Sequence, residues 1–437
     1  MEPWLIGILG ILVLLILIAF RVHIAFALGF VGIVGYSCIL GWKATSGLLG
    51  LVPYSFVASF IMTTIPLFLL MGYMANHGGL TKSVYSMAYK WLSNIPGGLA
   101  IASVVGCAFF AAVSGSSLAT AAMMGRVSIP EMLERKYDKS LATGCVAAAG
   151  TLGSLIPPSI LLVLYGAFTE TSVGRLLIAG FIPGIISALM FMVMIVCRAT
   201  INKNLAPRLK ENVSWRDRVI ALKGAWGILV LFILVIGGIY IGLFTPTEAA
   251  GVGAFGAFII ALLSGKLRWS DFVSSLNDTV RTTAQIFAIA LSAVIFTKFI
   301  AISDLPNIIC EFIFKMELPR IWVLAGLSVA YIFLGMFLDS IGIMLLTLPV
   351  VFPVIEKLGF NSIWFGIIMI KYLEIGLITP PVGLNVYVIK GVVGQKVSLD
   401  EIFRGITWFL IMDCLTLALL ITFPQITLFL PNTMMGK

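Results

Sequence analysis

Four short segments carry residues whose types and spacing suit chemistry. They are Ser114-Gly-Ser-Ser-Leu-Ala-Thr, Gly150-Thr-Leu-Gly-Ser-Leu-Ile-Pro-Pro-Ser, Asp339-Ser-Ile-Gly and Glu374-Ile-Gly-Leu-Ile-Thr-Pro-Pro-Val-Gly-Leu-Asn. Proline removes a backbone donor and clashes with the preceding turn, so no α-helix passes unbroken through Pro157-Pro158 or Pro380-Pro381. Inside a bilayer, broken backbone is tolerated only where protein buries it or where it lines a wet cavity. Freed carbonyls together with Ser and Thr hydroxyls make a cage of neutral oxygens. Such a cage suits a hard monovalent cation and lacks the clustered carboxylates that calcium favours. Half-helix N-termini beside it offer positive dipole ends to an anion. Gly, Ala, Ser and Thr also serve close helix packing, and for Ser114 to Thr120 alone the two readings stand level. Pairing with a Pro-Pro break, repeated later in the chain, favours the ion site.

The candidate cation ligands are Ser114, Gly115, Ser117, Gly150, Thr151 and Gly153 in the first pair of segments, and Asp339, Ser340, Gly376 and Thr379 in the second. The candidate anion-binding groups are Ser116, Ser154, Pro158, Ser159, Pro381 and Asn385. A carboxylate deep in a membrane costs about 2.5–3.5 kcal/mol on insertion scales, which makes Asp339 a functional candidate that either helps bind a cation or fixes the hairpin. Lys371 and Glu374, three apart on one helix, either pair structurally or take part in transport. Asn385 either contacts substrate or caps the restarted half-helix, with capping favoured. Glu248 in Phe244-Thr-Pro-Thr-Glu reads as a structural residue at a helix start. Two histidines and six scattered cysteines give no transition-metal spacing. There is no GxxxxGK[ST], GxSxG or HExxH, and enzyme activity finds no support.

The elements that must position these segments follow from composition. The chain has 437 residues, is 60% hydrophobic and 11% charged, and has a mean hydropathy of +1.11. Apolar runs near the roughly 20 residues of a bilayer crossing recur from Trp4 to Leu430, so the fold class is an all-α polytopic membrane protein. Trp4 to Phe20 lacks a basic n-region and a cleavage site and reads as a retained span. Net charge of +9 fits basic cytoplasmic loops better than nucleic-acid binding.

Self-alignment at an offset of about 224 residues exposes a duplication. Gly29 and Gly32 fall on Gly253 and Gly256, Gly41 on Gly265, Pro96 on Pro319, and Pro157-Pro158 on Pro380-Pro381. The first repeat covers 1–198: spans at 4–20, 22–40 and 57–75, an amphipathic arm at 80–95, a re-entrant hairpin at 97–129, a broken helix at 141–168 and a last span at 175–198. A basic linker, 199–223, leads to the second repeat, 224–437. Its spans are 226–242, 246–264 and 284–302, its arm 305–317, its hairpin 319–352, its broken helix 362–390 and its last span 403–430. Five crossings per repeat is an odd number, so the repeats are inverted. With the N-terminus outside, most of the 28 Lys and Arg face the cytoplasm, as the positive-inside rule requires. Both termini, the second at Lys437, are then expected on the periplasmic side.

Together these segments, with Gly238-Ile-Tyr-Ile-Gly-Leu-Phe-Thr-Pro-Thr-Glu-Ala-Ala, resemble the large membrane subunit of tripartite ATP-independent periplasmic (TRAP) transporters. The resemblance runs nearly end to end. Family members often carry Gly-Ser-Gly-Ser where this chain has Ser114-Gly-Ser-Ser, a change that keeps the small polar character. The resemblance implies a sodium-driven, elevator-type importer of small organic anions in a bacterial or archaeal cytoplasmic membrane, with Na+ as coupling ion and no organic cofactor. It implies two protein partners, a periplasmic substrate-binding protein and a small four-helix membrane subunit, the latter expected as a separate chain. It also implies scaffold spans (1–75 and 224–302) around a mobile block made of 97–168 and 319–390. A stand-alone sodium/carboxylate symporter of related architecture is the alternative.

Overall fold

The computed structural model describes residues 2–207, 213–317 and 319–434; part of the expected basic linker and the C-terminal Lys437 lie outside the described residues. The described residues form helices without strands. Eight of these helices are long and apolar enough to cross a membrane, or nine if the bent pair Trp215–Gly224 and Trp226–Tyr240 is one span.

Elements recur in one order along the chain. Pro3–Ala19, Ile24–Val57, Thr64–His77 and the arm Leu80–Leu92 precede a first hairpin, Gly98–Ser114 with Ser117–Glu134. A broken helix follows as Lys139–Gly150, Leu152–Leu155 and, beyond the cis Pro157-Pro158 bond, Ile160–Phe168; Val173–Ile201 closes the half. In the second half come Trp226–Tyr240, Pro246–Leu263, Trp269–Ile302 and the arm Leu305–Lys315. The second hairpin is Arg320–Gly335 with Ser340–Lys357. The second broken helix is Ser362–Ile378 with Leu384–Val393 across the cis Pro380-Pro381 bond, and Leu399–Thr422 follows. Positive-φ residues recur as well: Gly41 (φ 80°) with Gly265 (66°), and Gly79 (74°) with Asp304 (58°).

Three boundaries differ from the sequence expectation. The residues between the expected spans 22–40 and 57–75 are largely helical: Ile24–Val57 continues past a kink at Gly41, where φ 80° and ψ 167° leave the helical region and glycine bears no Cβ penalty. The third span of the second half starts earlier than 284, because Trp269–Ile302 is one helix of 34 residues. The last span is divided at Phe423, where Pro424, lacking an N–H, opens a separate helix to Thr433.

The two halves interlock. Ile24–Val57 packs on Trp269–Ile302, and a Cβ on Gly32 would stand 2.8 Å from the backbone nitrogen of Phe296. Thr64–His77 packs on Pro246–Leu263, where Thr64 and Thr247 hydroxyls pair at 3.0 Å. The last helix, Leu399–Thr422, packs on Lys139–Gly150 of the first broken helix. There a Cβ on Gly144 would stand 2.4 Å from the Gly405 carbonyl carbon. Close approach of this kind lets van der Waals contact hold helices together where lipid is as apolar as the side chains.

Candidate functional site

Each hairpin turns at a capped helix start. In the first, Gly115 takes φ 61° and the Ser116 hydroxyl accepts the Ala119 N–H at 3.4 Å. In the second, the Asp339 carboxylate accepts the Gly342 N–H at 3.0 Å. These caps satisfy otherwise orphaned donors and set both tips against a common cavity.

That cavity holds about 560 Å³. Ser114, Gly115, Ser116 and Ser117 line it from the first tip, Ser154 from the first broken helix, and Asp339 and Ser340 from the second tip. Leu377 adds the end of Ser362–Ile378. Further lining residues were missed by sequence reasoning: Tyr73 and Asn76 of Thr64–His77, Thr282 and Gln285 of Trp269–Ile302, and His23. Isolated polar positions on otherwise apolar helices were the available signal.

The first tip is wedged onto the first break. The Gly115 carbonyl accepts the Ile160 N–H at 3.3 Å, and a Cβ on Gly115 would stand 2.6 Å from the Pro158 carbonyl oxygen. Ser117 Oγ donates to the Gly150 carbonyl at 3.3 Å. A Cβ on Gly153 would stand 2.5 Å from the Ser116 carbonyl oxygen. Gly150 and Gly153 therefore lie beneath the tip and support it, outside the cavity lining. Ser114 Oγ lies 2.8 Å from Thr120 Oγ1, which donates to the Ser116 carbonyl at 2.8 Å.

Several other candidates are not among the residues that line the cavity. Thr151 Oγ1 donates to the Ala148 carbonyl at 2.7 Å, and Thr379 Oγ1 to the Ile375 carbonyl at 2.6 Å. Ser159 accepts the Leu162 N–H at 3.3 Å and donates to the Ser154 carbonyl. Gly376 packs backbone to backbone on Gly335, where a Cβ would come within 2.5 Å. Pro157 and Pro158 are buried, whereas Pro380 and Pro381 are exposed. Asn385 is buried and does not cap: Gly383 holds the cap position, and Asn385 Nδ2 donates to the Ala147 carbonyl at 3.0 Å. The local capping expectation thus gives way to a tertiary bond joining the two broken helices. Glu248 does close a capping box with Thr245.

Lys371 and Glu374 do pair, with Nζ 3.1 Å from Oε2. The sequence did not reveal that Asp413 Oδ1, at 2.6 Å, and Ser187 Oγ, at 3.0 Å, complete the ammonium's surroundings.

The donor set at the cavity is hydroxyl, carbonyl and one carboxylate. Ser340 Oγ is 8% exposed as a residue and has no hydrogen-bond partner among the described residues. Because Ser340 lines the cavity, its oxygen can take water or a hard cation as partner. Neither Lys nor Arg is among the described residues lining the cavity. An anion there meets hydroxyls, amide side chains and helix-start N–H groups instead.

Residues 11–426 match the family described as "Tripartite ATP-independent periplasmic transporter, DctM component". The chain belongs to this family. It is 38% identical over 376 residues to the C4-dicarboxylate TRAP transporter large permease protein DctM of Pseudomonas aeruginosa, covering 85% of this chain and 86% of that one. It is 32% identical over 358 residues to the isethionate TRAP transporter permease protein DctMQ of Oleidesulfovibrio alaskensis, covering 79% of this chain and 54% of that one. In fold it is similar to the Alcanivorax borkumensis YdaH transporter, with a TM-score of 0.64 and 13% identity over 97% of this chain and 98% of that one. This TRAP large permease is accordingly a multi-pass membrane transport protein.

Proposed function

We propose that this TRAP permease imports a small organic anion, a carboxylate or sulfonate, handed over by a periplasmic substrate-binding protein and driven by sodium. The observation that carries the proposal is the cavity where both hairpin tips meet: hydroxyls and one carboxylate for a cation, helix starts for an anion. Ser114, Ser117, Asp339 and Ser340 are the proposed sodium-side groups, and Ser116 and Ser154 the anion-side groups. Relatives named for a C4-dicarboxylate and for isethionate bracket the substrate class. Sodium entry releases about 2.3 kcal/mol per charge per 100 mV, enough for a few ions to concentrate the anion.

The movement we propose is an elevator. The first hairpin and broken helix, wedged together through Gly115, Gly150 and Gly153, and the second pair, in contact at Gly335 and Gly376, travel as one block against the interlocked spans, with the two arms as connectors. A small membrane subunit steadies those spans in the cytoplasmic membrane, and both termini face the periplasm. The test is anion uptake into proteoliposomes holding this chain and the small subunit, under an imposed sodium gradient, with and without the matching binding protein. Uptake that needs both sodium and the binding protein is expected. Sodium-driven uptake without the binding protein would make the chain a stand-alone symporter.

A further inference from the structure

Lys371, Glu374 and Asp413 form a cluster that the transport reading leaves unused. All three side chains are fully buried. The Lys371 ammonium joins three helices: its own Ser362–Ile378, Leu399–Thr422 through Asp413 at 2.6 Å, and Val173–Ile201 through Ser187 at 3.0 Å. One ammonium faces two carboxylates, so the ionised cluster holds one negative charge in excess. Glu374 Oε1 and Asp413 Oδ2 have no hydrogen-bond partner among the described residues. An uncompensated buried charge is costly until a proton is taken up or an opposite charge comes near. The cavity offers a place for that charge. Leu377, three residues beyond Glu374, lines it together with Asp339, and three residues span about 4.5 Å of helix axis.

We propose that Glu374 and Asp413 are positioning residues for the coupling cation. Their excess negative charge, held in dry protein one helical turn behind the cavity wall, raises the cavity's affinity for a monovalent cation. Lys371 keeps both carboxylates from turning toward the ion and cancels one of their charges. A purely structural tie between three helices has no need of this imbalance. The inference rests on the sodium-driven reading above.

The test uses the full chain with its small subunit in proteoliposomes, supplied with anion-loaded binding protein. Two quantities are measured for wild type, Glu374→Gln, Asp413→Asn and the control Gly326→Ala: the sodium concentration for half-maximal uptake, and the KM for the loaded binding protein at saturating sodium. Either carboxamide variant is expected to raise the half-maximal sodium concentration about tenfold, with KM little changed. That is the effect of one unit charge roughly 10 Å away at an effective dielectric constant near 20. Gly326→Ala, where nothing lies within 4 Å of the added Cβ, keeps the wild-type sodium dependence. Where a variant does not transport, sodium-dependent thermal stabilisation of the purified complex gives the same comparison. Unchanged sodium dependence in both carboxamide variants overturns the inference. So does a shift in the pH dependence of uptake with no shift for sodium, because a proton then neutralises the excess. Wild-type uptake indifferent to sodium would instead overturn the reading beneath it.

Discussion

Gly153→Ala tests the wedge between the first hairpin and the first broken helix. A Cβ there would stand 2.5 Å from the Ser116 carbonyl oxygen and 2.7 Å from Thr120 Oγ1, whereas ordinary contact begins at 3.4 Å. The tip must retreat by about 0.9 Å, the difference between those two contact distances. Overpacking of this kind costs about 1–3 kcal/mol. The obstacle is backbone, and the Ser116 carbonyl already accepts the Thr120 N–H at 3.0 Å and its hydroxyl at 2.8 Å, so no flexible side chain absorbs the strain. Moving Ser116 moves Ser114 and Ser117 with it. If the strain falls on the binding-competent form, affinity for sodium or anion drops by roughly 5- to 150-fold, since about 1.4 kcal/mol is tenfold. The assay is the initial uptake rate against sodium and anion concentration, with thermal unfolding of the purified protein alongside. Gly326→Ala serves as control, because nothing lies within 4 Å of a Cβ built there. Wild-type kinetics and stability in Gly153→Ala, matching Gly326→Ala, would refute the wedge.

Three further outcomes follow from the same geometry. Asp339→Asn keeps an oxygen for the Gly342 N–H but removes the charge, so sodium dependence weakens while thermal stability holds; Asp339→Ala loses the cap as well, worth about 1 kcal/mol, and melts lower. Asn385→Ala frees the Ala147 carbonyl and costs about 1–3 kcal/mol, read as a lower unfolding temperature of the purified protein. Lys371→Met strands two buried carboxylates and costs about 3–5 kcal/mol; fluorescence-detected size exclusion should show a marked loss of monodisperse protein.

The sequence was most informative where a residue's effect is independent of its surroundings. Proline lacks an N–H wherever it sits, so both broken helices were legible from Pro157-Pro158 and Pro380-Pro381. Small polar residues between two apolar stretches marked the hairpin tips, and Ser114 to Ser117, Asp339 and Ser340 all reach the cavity. Partners distant in sequence were not legible. Asp413 and Ser187 stand 42 and 184 residues from Lys371, and no local pattern announces them. Asn385 illustrates the same limit: capping is a local rule, but its amide found a carbonyl 238 residues away. Glycine was ambiguous in kind. A ligating carbonyl and a packing contact look alike in sequence, and only the fold assigns Gly376 to contact with Gly335 and Gly153 to support of the tip. Boundaries failed at Gly41 and Phe423, where a polar or proline-bearing stretch resumed as helix after a kink.

The central claim is that cation and anion are bound together at the hairpin tips and cross together. It is tested most directly by following radioactive sodium and radioactive anion in the same proteoliposomes, with the small subunit and loaded binding protein present. The account predicts sodium entry that appears only when loaded binding protein is supplied, in a fixed ratio to the anion. Anion accumulation with no accompanying sodium flux would contradict it.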